Sequence, residues 1–255
     1  MAGRLKGKVA LVSGGATGMG AAAAKAIAAE GASVAVVDRS VAAGNETAAA
    51  IRAAGGNAIF AEADVTQEQA VGKAVAEVVR QLGPVTALFN HAGSIVIKPF
   101  LETTLEEWES LHAINVRSMF LMTKAVLPSM IGAGGGAIVC TSSISAVAAT
   151  ATEVLYDTTK GACHMFARAI AVEFRDKGVR CNAICPGFID TPHGKREVAG
   201  LTRYGIDVSD ATIAMQQGRM GKPDDIAGAV VFLLSDEAAF ITGTHLFVDN
   251  GFTAV

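Results

Sequence analysis

Cysteine is scarce in this chain. Four residues, Cys140, Cys163, Cys181 and Cys185, are scattered over 255 positions with no CxxC pair, which removes the usual zinc and dithiol frameworks. Cys181 and Cys185 fall in one expected strand, about 13 Å apart along its backbone, too far apart to share a metal. The thiols read as buried and reduced, and no metal site is expected. Apolar runs are short: none reaches the roughly 18 residues of a membrane span. A formal charge of −3 supplies no basic field for nucleic acid or acidic lipid. The stretch MAGRLKGKVALVSGG passes from basic residues into a short β-like run, without the apolar core and cleavage site of a signal peptide, so a cytoplasmic location is expected. No Pro- or Ser-rich linker and no repeat divides the chain, and 1–255 reads as one domain.

What is present is a chain that is 51% hydrophobic with only 5% aromatics and 28 glycines, suited to helices packed closely on a buried sheet. Seven β-branched runs stand out: KVALVSG, SVAVVD, NAIFAEAD, VTALFNHAG, GAIVCTSS, VRCNAICPG and THLFVDNG. They lack in–out alternation and so read as buried on both faces. Helical patterns lie between most of them, at 21–30, 41–54, 67–82, 105–131 and 156–177. Repeated β–α–β units give an α/β fold with a doubly wound parallel sheet of seven strands. One stretch, at 192–217, breaks the alternation. It is polar and Gly-punctuated, and is expected to be a mobile flap over a site.

The first run ends in SGGATGMG, which places Gly14, Gly18 and Gly20 at a strand-to-helix turn. Such a turn lets a pyrophosphate approach the main chain and meet a helix N-terminus. No Lys follows, so it is not a P-loop. Asp38 ends the second run, where a carboxylate can accept hydrogen bonds from an adenosine ribose and repel a 2′-phosphate. That favours NAD, although Arg39 follows and can greet a phosphate. A solvated strand end remains the plain alternative for Asp38. Asp64 either caps a turn or meets the adenine.

Tyr156 and Lys160 stand four residues apart, on one face of an expected helix. An ammonium group beside a phenol stabilises the phenolate, and a Tyr so tuned can exchange a proton with a carbinol. The fifth strand ends in Ser142 and Ser143, and Ser143 is placed to hold the substrate oxygen. Taken alone, the pair is equally an ordinary helix-surface pair. Its position after a strand ending in serines favours chemistry.

Together these motifs resemble the short-chain dehydrogenase/reductase family over nearly the whole chain. SGGATGMG is similar to its TGxxxGxG, with Ser13 for Thr; NHAG to its NNAG, with His91 in second place; INVRSMF, CPGFIDT and ITGTHLFVDNG to further segments. The resemblance implies a Rossmann fold and a catalytic tetrad of Asn115, Ser143, Tyr156 and Lys160. Asn115 would support a proton-relay water through a local backbone distortion, and Lys160 would also hold the nicotinamide ribose. It further implies cofactor contacts from Gly14, Thr17, Gly18, Met19, Gly20, Asp38, Asp64, Val65, Asn90, Ala92, Gly93, Pro186, Gly187, Ile189 and Thr191, and a homotetramer built on the long helices and the last strand.

Substrate walls are expected from 94–96, 145–153, Phe188 and the flap, with Ser143, Ser145, Glu153 and Phe188 as substrate contacts. The polar stretch TATE at 150–153 favours a small polyhydroxy or cyclic alcohol. His193, Lys195, Arg196 and Arg203 of the flap read as a solvated surface. An NAD-dependent alcohol dehydrogenase is the leading reading. A 3-oxoacyl thioester reductase using NADPH and a non-catalytic dinucleotide sensor are the rivals, and Asp38 and the intact Tyr/Lys pair argue against them in turn.

Overall fold

The computed structural model describes residues 3–254. Seven strands form one parallel sheet in the order β3-β2-β1-β4-β5-β6-β7. They are β1 (Val9–Ser13), β2 (Ser33–Asp38), β3 (Asn57–Glu62), β4 (Ala87–Asn90), β5 (Gly136–Thr141), β6 (Val179–Pro186) and β7 (His245–Val248). All seven apolar runs therefore became strands. Those in the middle are buried on both faces, whereas the edge strands β3 and β7 are only partly covered.

Among the described residues, six of the nine α-helices cover the two faces of the sheet. The helices α1 (Gly18–Ala29), α2 (Val41–Ala53) and α9 (Pro223–Leu234) cover one face, where Ala23, Ile27, Ile51, Val230 and Leu234 meet Val12, Val36 and Phe89. On the other face α3 (Glu68–Leu82), α5 (Ser118–Gly132) and α6 (Val154–Phe174) pack Val75, Met122 and Cys163 against Leu11, Leu88 and Ile138. The chain changes face after β3, so the strand order reverses between β1 and β4. In an open parallel sheet this switch point opens a crevice at the strand C-termini.

Two stretches carry structure beyond the periodic pattern. The helix expected at 105–131 runs as α4 (Leu105–His112), a π-helical turn (Ala113–Arg117) and α5. The stretch at 192–217, expected to be a flap over a site, is built from α7 (Pro192–Arg203) and α8 (Asp210–Gln217). Thr191 Oγ1 accepts from the Gly194 N–H at 3.0 Å and Pro192 opens the helix, while Ser209 Oγ accepts from Thr212 N–H at 3.3 Å. Thr-Pro and Ser-Asp pairs are helix-start signals, outweighed here by the polar, glycine-rich look of the stretch.

Close packing sets a strict limit between α2 and β3. A side chain at Gly44 would run into the ring of Phe60. Gly44→Ala is expected to lower stability by about 1–3 kcal/mol, the usual cost of overpacking, despite alanine's better helix propensity. Urea denaturation checks this, and equal or higher stability would contradict the packing described.

Candidate active site

The crevice at the switch point is lined from five strand ends. At β1, Gly14 crosses within reach of the β4 end: a Cβ there would lie 2.8 Å from Ala92 Cα. Gly18 takes a left-handed φ of +53° as the chain enters α1, and Thr17 precedes it without capping the helix through its side chain. No acidic residue stands in the first turn of α1, so its backbone N–H groups and dipole face the crevice ready for an anion. Asp38 lines the same crevice from β2, beside Arg39. Its carboxylate accepts from Ala16 N–H at 3.2 Å and Ser40 N–H at 2.9 Å, which holds it in place and leaves acceptor capacity for hydroxyl groups.

Across the crevice stand Ser143, Tyr156 and Lys160. Ser142 Oγ donates to the Lys160 carbonyl at 3.0 Å, tying the first turns of α6 to the end of β5. The buried Lys160 ammonium donates to the Thr141 carbonyl at 3.1 Å and lies 5.4 Å from the Tyr156 ring centroid. Ser143 Oγ donates to Ser145 Oγ at 3.0 Å and accepts from Ser145 N–H at 3.1 Å. Asn115 sits in the π-helical turn. Its side chain accepts from Ser94 N–H at 2.7 Å and donates to the Ser94 carbonyl at 3.0 Å and to Thr159 Oγ1 at 2.9 Å.

Of the other expected contacts, Met19, Ala92, Gly93, Pro186, Gly187, Ile189 and Thr191 line the crevice. Several do not. Gly20 is buried in α1, where a side chain would strike the Gly14 carbonyl. Asn90 is buried and donates to Thr123 Oγ1 at 2.8 Å, bracing β4 on α5. Asp64 caps its own turn, accepting from Thr66 N–H at 2.9 Å and Thr66 Oγ1 at 2.7 Å, and Val65 belongs to the apolar core. Glu153 and Phe188 are buried behind the crevice wall rather than on it, and Ser145 acts through Ser143. His91 stacks on Phe89 with ring centroids 5.0 Å apart and pairs with Thr141 Oγ1 at 3.1 Å. The crevice also includes His193 and Glu197 of α7. Glu197 carries no motif, and its i,i+4 spacing from His193 becomes informative only once a helix is known there.

A family model described as "Enoyl-(Acyl carrier protein) reductase" matches residues 14–253. The chain is 40% identical, over 99% of both chains, to the 2,5-dichloro-2,5-cyclohexadiene-1,4-diol dehydrogenase LinX of Sphingobium indicum. It is 38% identical, over 99% of both, to a cyclopentanol dehydrogenase of Comamonas testosteroni. It superposes on the crystal structure of levodione reductase with a TM-score of 0.93, at 30% identity and full coverage of both chains. The chain belongs to the short-chain dehydrogenase/reductase family. These relatives are dehydrogenases or reductases of alcohols and ketones, and dehydrogenases of this family use nicotinamide cofactors.

Burial dominates the electrostatics of this crevice. It pushes the Tyr156 phenol well above its ordinary range; Glu197 and Glu153 push the same way, and the Ser143 hydroxyl pulls back. Lys160 is itself drawn down by burial. The expectation that Lys160 brings Tyr156 toward neutrality is therefore not met by the protein's own groups, because desolvation outweighs the pairing. Burial also holds Glu153 up at about 9, Glu197 at about 7 and Asp157 at about 6, and depresses His91 to about 3 and His193 to about 4. Glu153 is 1% exposed and its Oε1 has no hydrogen-bond partner among the described residues, which suits a protonated acid.

A carboxyl whose pKa rises on folding keeps its proton in the native state after the unfolded chain has lost it. Its stabilising effect is complete below its ordinary pKa and is lost as pH climbs through the folded value. The depressed histidines oppose this only below their ordinary pKa of 6.5. Between pH 7 and 9 the slope therefore belongs mainly to Glu153. Thermal melting should show stability falling across that window, and Glu153→Gln should flatten the fall. An unaltered slope in the variant would contradict the protonated state of Glu153.

Proposed function

We propose that the protein is an NAD-dependent dehydrogenase of small cyclic or polyhydroxy alcohols. The observation that carries this reading is one crevice holding Ser143, Tyr156 and Lys160 at one end and the open α1 N-terminus with Asp38 at the other. The residues fit a dinucleotide. The glycine turn leaves backbone N–H groups for the pyrophosphate, Asp38 suits the two hydroxyls of an adenosine ribose, and the Lys160 ammonium suits those of the nicotinamide ribose. Bound NAD⁺ would supply the hydride acceptor.

The protein's own groups handle the proton. Ser143 holds the carbinol oxygen against Tyr156, which first gives up its own proton to solvent, and whose phenolate oxygen then takes the hydroxyl proton as the carbinol becomes a carbonyl. Lys160 favours the phenolate. Asn115 clamps the Ser94 backbone and Thr159, and so fixes the turn through which a water chain would carry the proton to solvent. Exposed apolar side chains on α5 and α6, namely Phe120, Met165 and Val172, fit a homotetramer, and four free thiols suit a reducing cytoplasm.

Tyr156→Phe should lower turnover by about 10²–10⁴, the usual worth of general acid–base assistance, while nicotinamide fluorescence still reports cofactor binding. Near-wild-type turnover in that variant would end the assignment. Arg39, which shares the crevice, supports a second reading as an NADPH-dependent reductase of 3-oxoacyl thioesters. Nicotinamide absorbance separates the two. NAD⁺ with a cyclic alcohol should turn over, and Asp38→Ser should narrow the preference for NAD⁺ over NADP⁺. Turnover confined to NADPH and acetoacetyl thioester would favour the second reading.

A further inference from the structure

Helix α7 contributes a carboxylate to the reacting end that the catalytic tetrad does not use. His193 and Glu197 lie one turn apart on one helix face, and the His193 ring is 5.9 Å from the Tyr156 ring, so this face looks onto the phenol. Glu197 is half-buried, lines the crevice together with Ser143, Tyr156 and Lys160, and has no hydrogen bond or salt bridge among the described residues. Its charge bears on the phenol more strongly than that of any other residue. The cations nearby are otherwise placed: Lys160 donates to Thr141, and Arg196, though on the rim, is exposed. Asp157 adds to the acidic character around Glu197, pushing its carboxyl the same way as burial.

A half-buried carboxylate without a partner wants a hydrogen-bond donor, and it disfavours an anion. We infer that Glu197 is a specificity-determining residue that accepts a hydrogen bond from a second hydroxyl of the substrate, so that the enzyme prefers diols over simple alcohols and over hydroxy acids. This rests on the alcohol dehydrogenase reading above. The reacting carbinol sits at Tyr156 and Ser143, the ring spans the crevice, and the far hydroxyl meets Glu197. A diol dehydrogenase among the relatives is consistent with this.

Three probes on one ring test it with NAD⁺ and the full-length enzyme: cyclohexanol, cyclohexane-1,4-diol and 4-hydroxycyclohexanecarboxylate. The wild type should prefer the diol. In Glu197→Ala the diol's advantage over cyclohexanol in kcat/KM should shrink about tenfold or more, the worth of a hydrogen bond to a charged group, and the loss should appear in the KM for the diol. The same variant should gain activity toward the hydroxy acid, and Glu197→Gln, which keeps an acceptor but not the charge, should retain part of the diol preference while also admitting the acid. Equal losses for all three probes would mean that Glu197 only supports the fold, and an unaltered diol-to-cyclohexanol ratio would overturn the inference outright. A wild type silent toward all three alcohols would instead defeat the parent reading, and this inference with it.

Discussion

Every part of the site depends on the seam between β1 and β4. The two strands run parallel and paired from Ala10↔Ala87 to Ser13↔Asn90, and the chains leave them toward opposite faces of the sheet. The Ser13 hydroxyl stitches the seam at its end, accepting from His91 N–H at 3.0 Å and Ala92 N–H at 3.2 Å. Gly14 then turns so close to Ala92 that no side chain fits, and its N–H donates to the Val37 carbonyl at 2.9 Å. One serine and one glycine thus join three strand ends. The α1 N-terminus, Asp38 and the β4 loop keep their relative places because of that junction.

The reacting end has its own anchor in β5. Thr141, Ser142 and Ser143 each perform a different task. The Thr141 carbonyl holds the ammonium group of Lys160, Ser142 fastens the helix that carries it, and Ser143 faces the phenol. Because these come from one strand end, Tyr156 and Lys160 are set relative to Ser143 by backbone geometry rather than by long flexible side chains. The π-helical turn at Ala113–Arg117 complements this from the other side, since the extra residue in the turn swings Asn115 onto Ser94 and Thr159.

Low dielectric governs the charges placed there. Burial opposes ionisation of Tyr156 and Glu153 and protonation of His91 and His193, so apart from the Glu197 carboxyl, raised only to about 7, the crevice groups around the buried Lys160 ammonium are largely uncharged. The wall supplied by α7 differs in kind from the groups anchored at the end of β5 and in α6: it is a helix laid over the crevice, and a substitution in it can alter selectivity without disturbing the seam.

The seven strands, their parallel pairing and the placing of Gly14, Asp38, Ser143, Tyr156 and Lys160 around one crevice were legible in the sequence, because each rests on local pattern: apolar runs, a glycine turn, an i,i+4 pair. The interruption at 113–117 was not legible in that way. Helical periodicity runs straight through it, and the one-residue expansion answers to packing on α6 and the Ser94 loop. The helices α7 and α8 were masked by polar composition, although Thr191-Pro192 and Ser209-Asp210 mark their starts. Asp64, Val65, Asn90, Glu153 and Phe188 were assigned to the site from motif or proximity in sequence, and the tertiary structure leaves them off the crevice lining, with Asp64 in its own turn, Val65 in the core and Asn90 bracing β4 on α5. It also brings Glu197 to the phenol from forty-one residues away. Local order determined the scaffold; which carboxyls come to the crevice, and how far their titration is shifted, was decided by burial, and burial exists only once the chain has packed.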